Sequence, residues 1–218
     1  MEVKIKIPTS LLEVSIKDFI AYVNSDKTDI DTLKIFYKLS DDLIKLMPIG
    51  EIRELVNHMD KLFSIEQPFQ DTFYLAGQKF GFIPKLDDMT IGEYADLDTF
   101  GASIDDIPKM MAVMFRPITK EKKGSYLIEP YNADITYHEV MEHAPISIYL
   151  GAKGFFLTLR KELLKLTMDY LEEEVKWMSS QNNINLPLNG DGTPVSIPSL
   201  REMLEDLERS QESIFTKH

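Results

Sequence analysis

The sequence predicts a mainly α-helical fold with a small β-hairpin, an α+β arrangement in which helix predominates. A long proline-free stretch, 146–178, is apolar on nearly every side in its first half, and this predicts one long helix at the centre of the core. Amphipathic patterns precede it, the clearest at 51–63, where the apolar residues fall on one helical face. Strand signals are few and short. The clearest, 71–84, predicts a hairpin with Gly77 in its turn.

The other elements follow from periodicity and from the residues that start or stop a helix or strand. Apolar and polar residues alternate at 3–7, which predicts a short strand ended by Pro8. A second short strand is predicted within 125–131. Helices are predicted at about 15–24, 28–39, 40–48, 51–63, 91–98, 106–115 and 137–143.

The C-terminal part of the chain predicts a separate helix joined by a linker. Residues 179–198 are rich in Asn, Gly, Pro and Ser, a composition typical of linkers and loops. Residues 199–214 show the periodicity of an amphipathic helix. The predicted organisation is therefore one helical domain over 1–178, the linker, and the C-terminal helix.

Two apolar stripes in this region predict a contact surface. In the second half of the long helix the apolar residues narrow to a 4-3-4-3 spacing, which is typical of a coiled-coil seam. The C-terminal helix carries a single stripe, and a lone helix of about 16 residues is marginal in water. We expect the two stripes to pack together, within one chain or between two copies. The predicted contact residues are Leu164, Met168, Leu171, Val175, Met178, Leu200, Met203, Leu207 and Ile214.

The composition narrows the classes of partner and of chemistry. The chain has 36 acidic against 24 basic residues, and a net charge of −12 repels phosphate backbones and anionic lipid. We therefore expect neither nucleic acid nor membrane as a partner. The absence of cysteine rules out disulfides, thiolate catalysis and cysteine-ligated metal sites. The N-terminus lacks the apolar core of a signal peptide, and no apolar run approaches the ~18 residues of a membrane span.

The stretch LDDMTIGEY, 86–94, concentrates acids that could bind a divalent cation or begin a helix. A calcium loop needs acids at alternate positions and a distal glutamate, and Asp87, Asp88 and Glu93 lack that spacing. Thr90 stands three residues before Glu93, which is the spacing of a helix capping box. Helix capping is the favoured interpretation. The same spacing recurs at Ser15–Asp18, Thr136–Glu139 and Ser199–Glu202.

Motifs that would identify an enzyme are absent from the sequence. There is no phosphate-binding loop, no dinucleotide fingerprint and no nucleophile elbow. His138 and His143 are five residues apart, about 140° around a helix, whereas the zinc-protease motif needs a separation of four. We therefore predict no catalytic residue, no cofactor and no metal ligand.

Five segments of the chain matter more by their order than singly. In chain order they are IPTSLLEVSIKDF, FGFIPKLDDMTIGEYADLD, MMAVMFRPI, YLIEPY and YLGAKGFFLTLRKELL. This order resembles a family of tailed-bacteriophage proteins, associated with phages of Bacteroidetes hosts and with some marine phages. GEYADLD (92–98) and AVMFRPI (112–118) are the most specific parts of the resemblance, which covers roughly residues 5–170.

The resemblance implies a non-enzymatic role in virion morphogenesis, as a tail or neck component or as a tail-assembly chaperone. It implies protein–protein contacts with other phage structural proteins and with copies of the chain itself, in the virion or in the host cytoplasm during assembly. It carries over no catalytic residues. The alternative is a phage-encoded enzyme or host-takeover factor with an acidic, metal-dependent site.

Overall fold

A computed structural model describes residues 5–85, 89–133 and 136–181, together with Glu202 and Glu205. These residues form a mixed α+β fold that is mainly helical, as the sequence predicts. Its strands are β1 (Thr72–Leu75), β2 (Gln78–Phe82), β3 (Phe115–Lys122) and β4 (Ser125–Ile128). Its α-helices are α1 (Ile16–Val23), α2 (Asp29–Phe36), α3 (Asp41–Leu46), α4 (Ile49–Ser64), α5 (Ile91–Phe100), α6 (Ile107–Met114), α7 (His138–Met141) and α8 (Ile146–Gln181).

The chain divides into two compact units, Met1–Ala152 and Lys153–His218. The first unit holds α1 to α7, the sheet and the first two turns of α8. In the second unit, the described side chains of α8 are half-buried or exposed. That α8 forms the centre of the core stays a prediction. From residue 182 onward, the predicted linker and C-terminal helix lie outside the described residues, apart from Glu202 and Glu205.

The four strands form one antiparallel sheet in the order β1-β2-β3-β4. The predicted hairpin is confirmed, because β1 and β2 are joined by Ala76 and Gly77 with φ angles of 50° and 81°. Two positive φ angles in a two-residue loop are the hairpin geometry that glycine favours. Lys123 and Gly124 repeat it between β3 and β4, at 45° and 81°.

The sheet corrects two sequence-based expectations. Strand β3 was not predicted; it begins at Phe115, immediately after α6, and pairs with β2 on one side and β4 on the other. The strand predicted at 3–7 is wrong over its described part, since residues 5–7 belong to no strand. The structure instead holds the end of this segment through a hydrogen bond between His58 Nε2 and the Pro8 carbonyl, at 2.7 Å. Alternating apolar and polar residues form a strand only where a neighbouring strand is available for pairing.

Side-chain capping is found at two of the four predicted helix starts, and Ser199 of a third lies outside the described residues. Thr90 and Glu93 form a reciprocal capping box at α5, and the Ser15 hydroxyl accepts the Asp18 N–H at α1. The box predicted at Thr136–Glu139 is wrong. Helix α7 has only four residues, and its N-cap position is Tyr137, whose side chain makes no cap bond and instead reaches Glu129.

The beginning of α8 is packed inside the first unit. Ile146, Ile148 and Ala152 are almost fully buried. A Cβ added at Gly151 would lie 2.4 Å from the Pro68 carbonyl oxygen, so the segment preceding β1 crosses the helix where no side chain stands. This agrees with the general use of helical glycine, which lets another backbone approach closely.

The backbone around the start of α1 is hydrogen-bonded to the segment that leads into α8. The Ile16 N–H donates to the Ala144 carbonyl at 2.9 Å, and the Ile146 N–H donates to the Val14 carbonyl at 2.8 Å. The Lys17 ammonium also pairs with the Glu142 carboxylate at 3.0 Å. The first and last parts of this unit are therefore joined directly.

Candidate functional site

The most unusual polar feature of the first unit is a buried arginine on β3. Arg116 lies opposite Gly81 of β2 in the register of the sheet and is 8% exposed. Buried arginine is rare unless its charge is paired, because removing a guanidinium from water is costly. Its partner therefore decides whether this part of the sheet is stable.

That partner is Glu93, the residue that also caps α5. One carboxylate oxygen, Oε2, accepts the Thr90 backbone N–H at 2.6 Å, and the other, Oε1, lies 2.7 Å from Arg116 Nη2. Glu93 is only 3% exposed, so the pair is shielded from water on both sides. The capping residue anticipated from the sequence is thus also half of a buried ion pair that joins α5 to β3.

A tyrosine from the segment after β4 completes the cluster. The ring centroid of Tyr131 lies 5.8 Å from the Arg116 guanidinium carbon, within the range of a cation–π contact. The Tyr131 hydroxyl donates to Asp96 Oδ2 of α5. Burial, followed by the hydrogen bond to Asp96, raises the pKa of Tyr131 to about 12. The phenol therefore remains a neutral donor at physiological pH.

A small cleft of about 90 Å³ adjoins this cluster. Its wall combines apolar residues of α6 with polar and aromatic residues of the segment after β4. The Tyr137 hydroxyl donates to Glu129 Oε2 at 2.8 Å, which raises the pKa of Tyr137. The lining residues are Ala112, Val113, Arg116, Glu129, Pro130, Tyr131, Asn132, Thr136 and Tyr137.

The ion pair leaves part of the guanidinium unsatisfied. Arg116 Nε and Nη1 are buried and have no hydrogen-bond partner among the described residues. Buried donors of this kind are uncommon in native proteins and weaken the structure around them. Both oxygens of Glu93 are engaged, one by the Thr90 N–H and one by Arg116. The arrangement is suited to locking α5, β3 and the segment after β4 together.

Of the acids in 86–94, Glu93 contacts the Thr90 N–H and Arg116, which agrees with the helix-capping interpretation. Within residues 5–85, 89–133 and 136–181, no three Asp, Glu or His side chains converge as ligands for a metal ion. Asp87 and Asp88 lie outside the described residues.

The predicted contact residues of α8 are described only in part. Leu164 and Met168 are half-buried within the second unit. The side chains of Leu171, Val175 and Met178 lie outside the described residues, as do Leu200, Met203, Leu207 and Ile214 of the predicted C-terminal helix. Their packing against each other stays a prediction.

Sequence reasoning missed Arg116, Tyr131 and the cleft. The signal was present in part, since the segments GEYADLD, AVMFRPI and YLIEPY were singled out as motifs. Nothing in them shows that their charged and aromatic residues meet, because the pairing of Glu93 with Arg116 depends on how β3 is placed in the sheet.

No family model, curated protein or solved structure matches the chain. Among the described helices, none combines the length and apolar composition needed to cross a bilayer.

Proposed function

We propose that this chain is a non-enzymatic bacteriophage protein that acts in virion assembly or structure through protein–protein contacts. The observation that carries the proposal is the meeting of three segments on which the phage resemblance rests. GEYADLD contributes Glu93, AVMFRPI contributes Arg116, and YLIEPY contributes Tyr131 to one buried cluster. The resembling segments thus belong to one folded arrangement rather than to unrelated stretches of chain.

The two remaining segments of the resemblance also approach each other. IPTSLLEVSIKDF contains Val14 and Ile16, which are hydrogen-bonded to the backbone at Ile146 and Ala144. YLGAKGFFLTLRKELL begins three residues later, at Tyr149, on the same buried turns of α8. This supports a shared fold for the resembling region.

The surface of the first unit also favours contacts with protein. Several large apolar side chains are exposed, among them Leu46, Ile49, Tyr74 and Ile91. The net charge of −12 opposes binding to nucleic acid and to anionic membranes. Exposed apolar residues in an acidic surface suit protein partners, here other structural proteins of the particle and copies of the chain.

Mass spectrometry of purified particles from the virus that encodes the chain tests the proposal. A structural component will be present at a constant number of copies per particle. An assembly chaperone will be absent from the particle but will co-purify with a tail protein from infected cells. A chain found neither in particles nor with any virion protein would refute both forms. In that case, a metal-dependent thermal shift abolished by mutating one acid would favour the enzyme alternative.

In this proposal, α8 is the central scaffold helix and its seam receives the C-terminal helix. Deleting residues 180–218 and measuring mass by light scattering tests whether that helix joins two copies. A point-variant pair sharpens the test: Leu164→Lys with Met168→Lys alters the seam, while Leu166→Lys alters an exposed position on the same helix. If the seam joins two copies, the deletion will lower the mass and only the first variant will reproduce that change. An unchanged mass would rule out a contact between copies, and unchanged stability as well would mean that the C-terminal helix docks nowhere important.

A further inference from the structure

Helix α5 buries a carboxylate while two large side chains of its first turn are exposed. Among its residues only Glu93, a carboxylate, is fully buried, whereas Ile91 is 88% exposed and Tyr94 is 66% exposed. The exposed residues Ile91, Tyr94, Ala95 and Asp98 have the spacing i, i+3, i+4, i+7, so they share one face. We call these four residues the α5 stripe. Leu97 and Phe100 lie half-buried on the side of Glu93. Ile91 and Tyr94 instead point away from the core, and large apolar residues of a surface helix are not usually found on that side.

The ion pair explains why the helix adopts this orientation. Glu93 must face inward to reach Arg116 Nη2 at 2.7 Å while it accepts the Thr90 N–H. The Tyr131 hydroxyl holds the same side of the helix through Asp96. With Glu93 and Asp96 fixed inward, α5 has to present Ile91 and Tyr94 outward. The exposure of the stripe is therefore built into the fold and does not come from a loosely attached helix.

Acids outnumber bases in the segment around the α5 stripe, where the Lys109 ammonium also lies 5.5 Å from the centroid of the Phe100 ring. Residues 89–106 contain five acids, Glu93, Asp96, Asp98, Asp105 and Asp106, and no lysine or arginine. Of these acids, two are neutralised by ion pairs, Glu93 with Arg116 and Asp106 with Lys109. The C-terminal end of a helix adds further negative potential, which here coincides with Asp98. The stripe thus combines two exposed apolar side chains, Ile91 and Tyr94, with Asp98, an exposed acid that forms no ion pair among the described residues.

We propose that the α5 stripe is the docking surface for a basic amphipathic segment of a protein partner. Apolar residues of that segment would cover Ile91 and Tyr94, and its lysine or arginine residues would face Asp98 and the neighbouring acids. Nucleic acid and anionic lipid are disfavoured by the same charges. At this stripe a second copy is disfavoured, because in a symmetric contact Asp98 of one copy would face the acids of the other, and contacts between copies would use another surface. The inference deepens the proposed function by assigning its protein contacts to a surface.

Binding of a designed peptide to the full chain tests this inference. The probe is a fluorescently labelled helical peptide of about 18 residues, five turns, with leucine along one face and lysine on both flanks. Fluorescence anisotropy should detect binding that weakens as salt is raised. Ile91→Gln with Tyr94→Gln should weaken binding by about tenfold or more, because both central apolar contacts are lost. A peptide with glutamate in place of lysine should not bind.

Leu46→Gln is the matched control, because Leu46 is 82% exposed on α3 and its replacement removes a similar apolar surface elsewhere. It should leave peptide affinity unchanged, and circular dichroism should show that all variants remain folded. Equal weakening by the α5 and Leu46 variants, or no effect of the α5 variant, would overturn the inference. Self-association abolished by the α5 variant would also overturn it in favour of a second copy. Any of these results would leave the particle analysis to decide the proposed function separately.

Discussion

Replacing Glu93 by glutamine tests whether the buried ion pair stabilises the first unit. The substitution preserves side-chain size and leaves an amide oxygen for the Thr90 N–H, but it removes the negative charge 2.7 Å from Arg116 Nη2. Breaking a buried pair by removing one partner typically costs about 3–5 kcal/mol, because the remaining charge is uncompensated. Arg116 already has two unsatisfied nitrogens, so we expect a loss near the upper end of that range.

A double variant separates the ion pair from general disruption of the site. Arg116→Met removes the remaining charge and retains an apolar stem of similar length, so Glu93→Gln with Arg116→Met contains no buried charge. We expect it to be more stable than Glu93→Gln alone, with a coupling of about 2–3 kcal/mol across the cycle. Replacement of a buried pair by uncharged residues is often close to neutral.

Urea unfolding followed by far-ultraviolet circular dichroism and by tyrosine fluorescence measures these free energies. Asp98→Asn is the control, because Asp98 is an exposed acid on the same helix and its loss should change stability by less than about 0.5 kcal/mol. A Glu93→Gln variant as stable as the Asp98→Asn control would refute the reasoning. So would single-variant losses that simply add in the double variant.

Three other perturbations have expected outcomes. Gly151→Ala should lower the melting temperature and the free energy of unfolding, the latter by about 2 kcal/mol or more, because the added Cβ would meet the Pro68 backbone. Gly154→Ala is the control and should not lower them, because a Cβ there meets nothing within 4 Å. Thr28→Ala should cost about 1 kcal/mol in urea unfolding by removing the α2 capping box. Burial raises the pKa of Tyr149 from 10.0 to about 12, so the phenol ionises more readily in the unfolded chain than in the folded one. The contribution of neutral Tyr149 to the free energy of unfolding should therefore be complete below pH 10 and lost as the pH rises towards 12. Alkaline titration should show this loss, and Tyr149→Phe should reduce it.

Local features of the fold were predictable because their causes are local. The capping box at Thr90 and Glu93 needs only residues three apart, and the hairpin turn at Gly77 needs a residue that tolerates positive φ. The existence of α4 and the extended segment at β4 followed from periodicity in the same way. In each case the residues that determine the structure are also neighbours in the sequence.

Features that depend on distant pairing were not predictable. The outer half of β3, TKEK, is polar and exposed, so its sequence resembles a loop; it is a strand because β4 follows through a tight turn. The burial of Glu93 on the core side of α5 was missed for a related reason. The sequence does not show which face of α5 is buried, because Glu93 faces inward only through its ion pair with Arg116 on β3, and this leaves Ile91 and Tyr94 exposed. The contact that decides the orientation lies in another element.

The backbone pairing between the start of α1 and the segment before α8 constrains how the chain can fold during synthesis. Lys17 and Glu142 are 125 residues apart, so in an emerging nascent chain Ile16 and Lys17 lack these hydrogen-bond partners until residues 142–146 have left the ribosome. At about 5–20 residues per second, this interval lasts several seconds or more. A ribosome stalled before residue 142 would therefore present a chain that protease cuts near α1, whereas one stalled well beyond Ala152 would present a protected one.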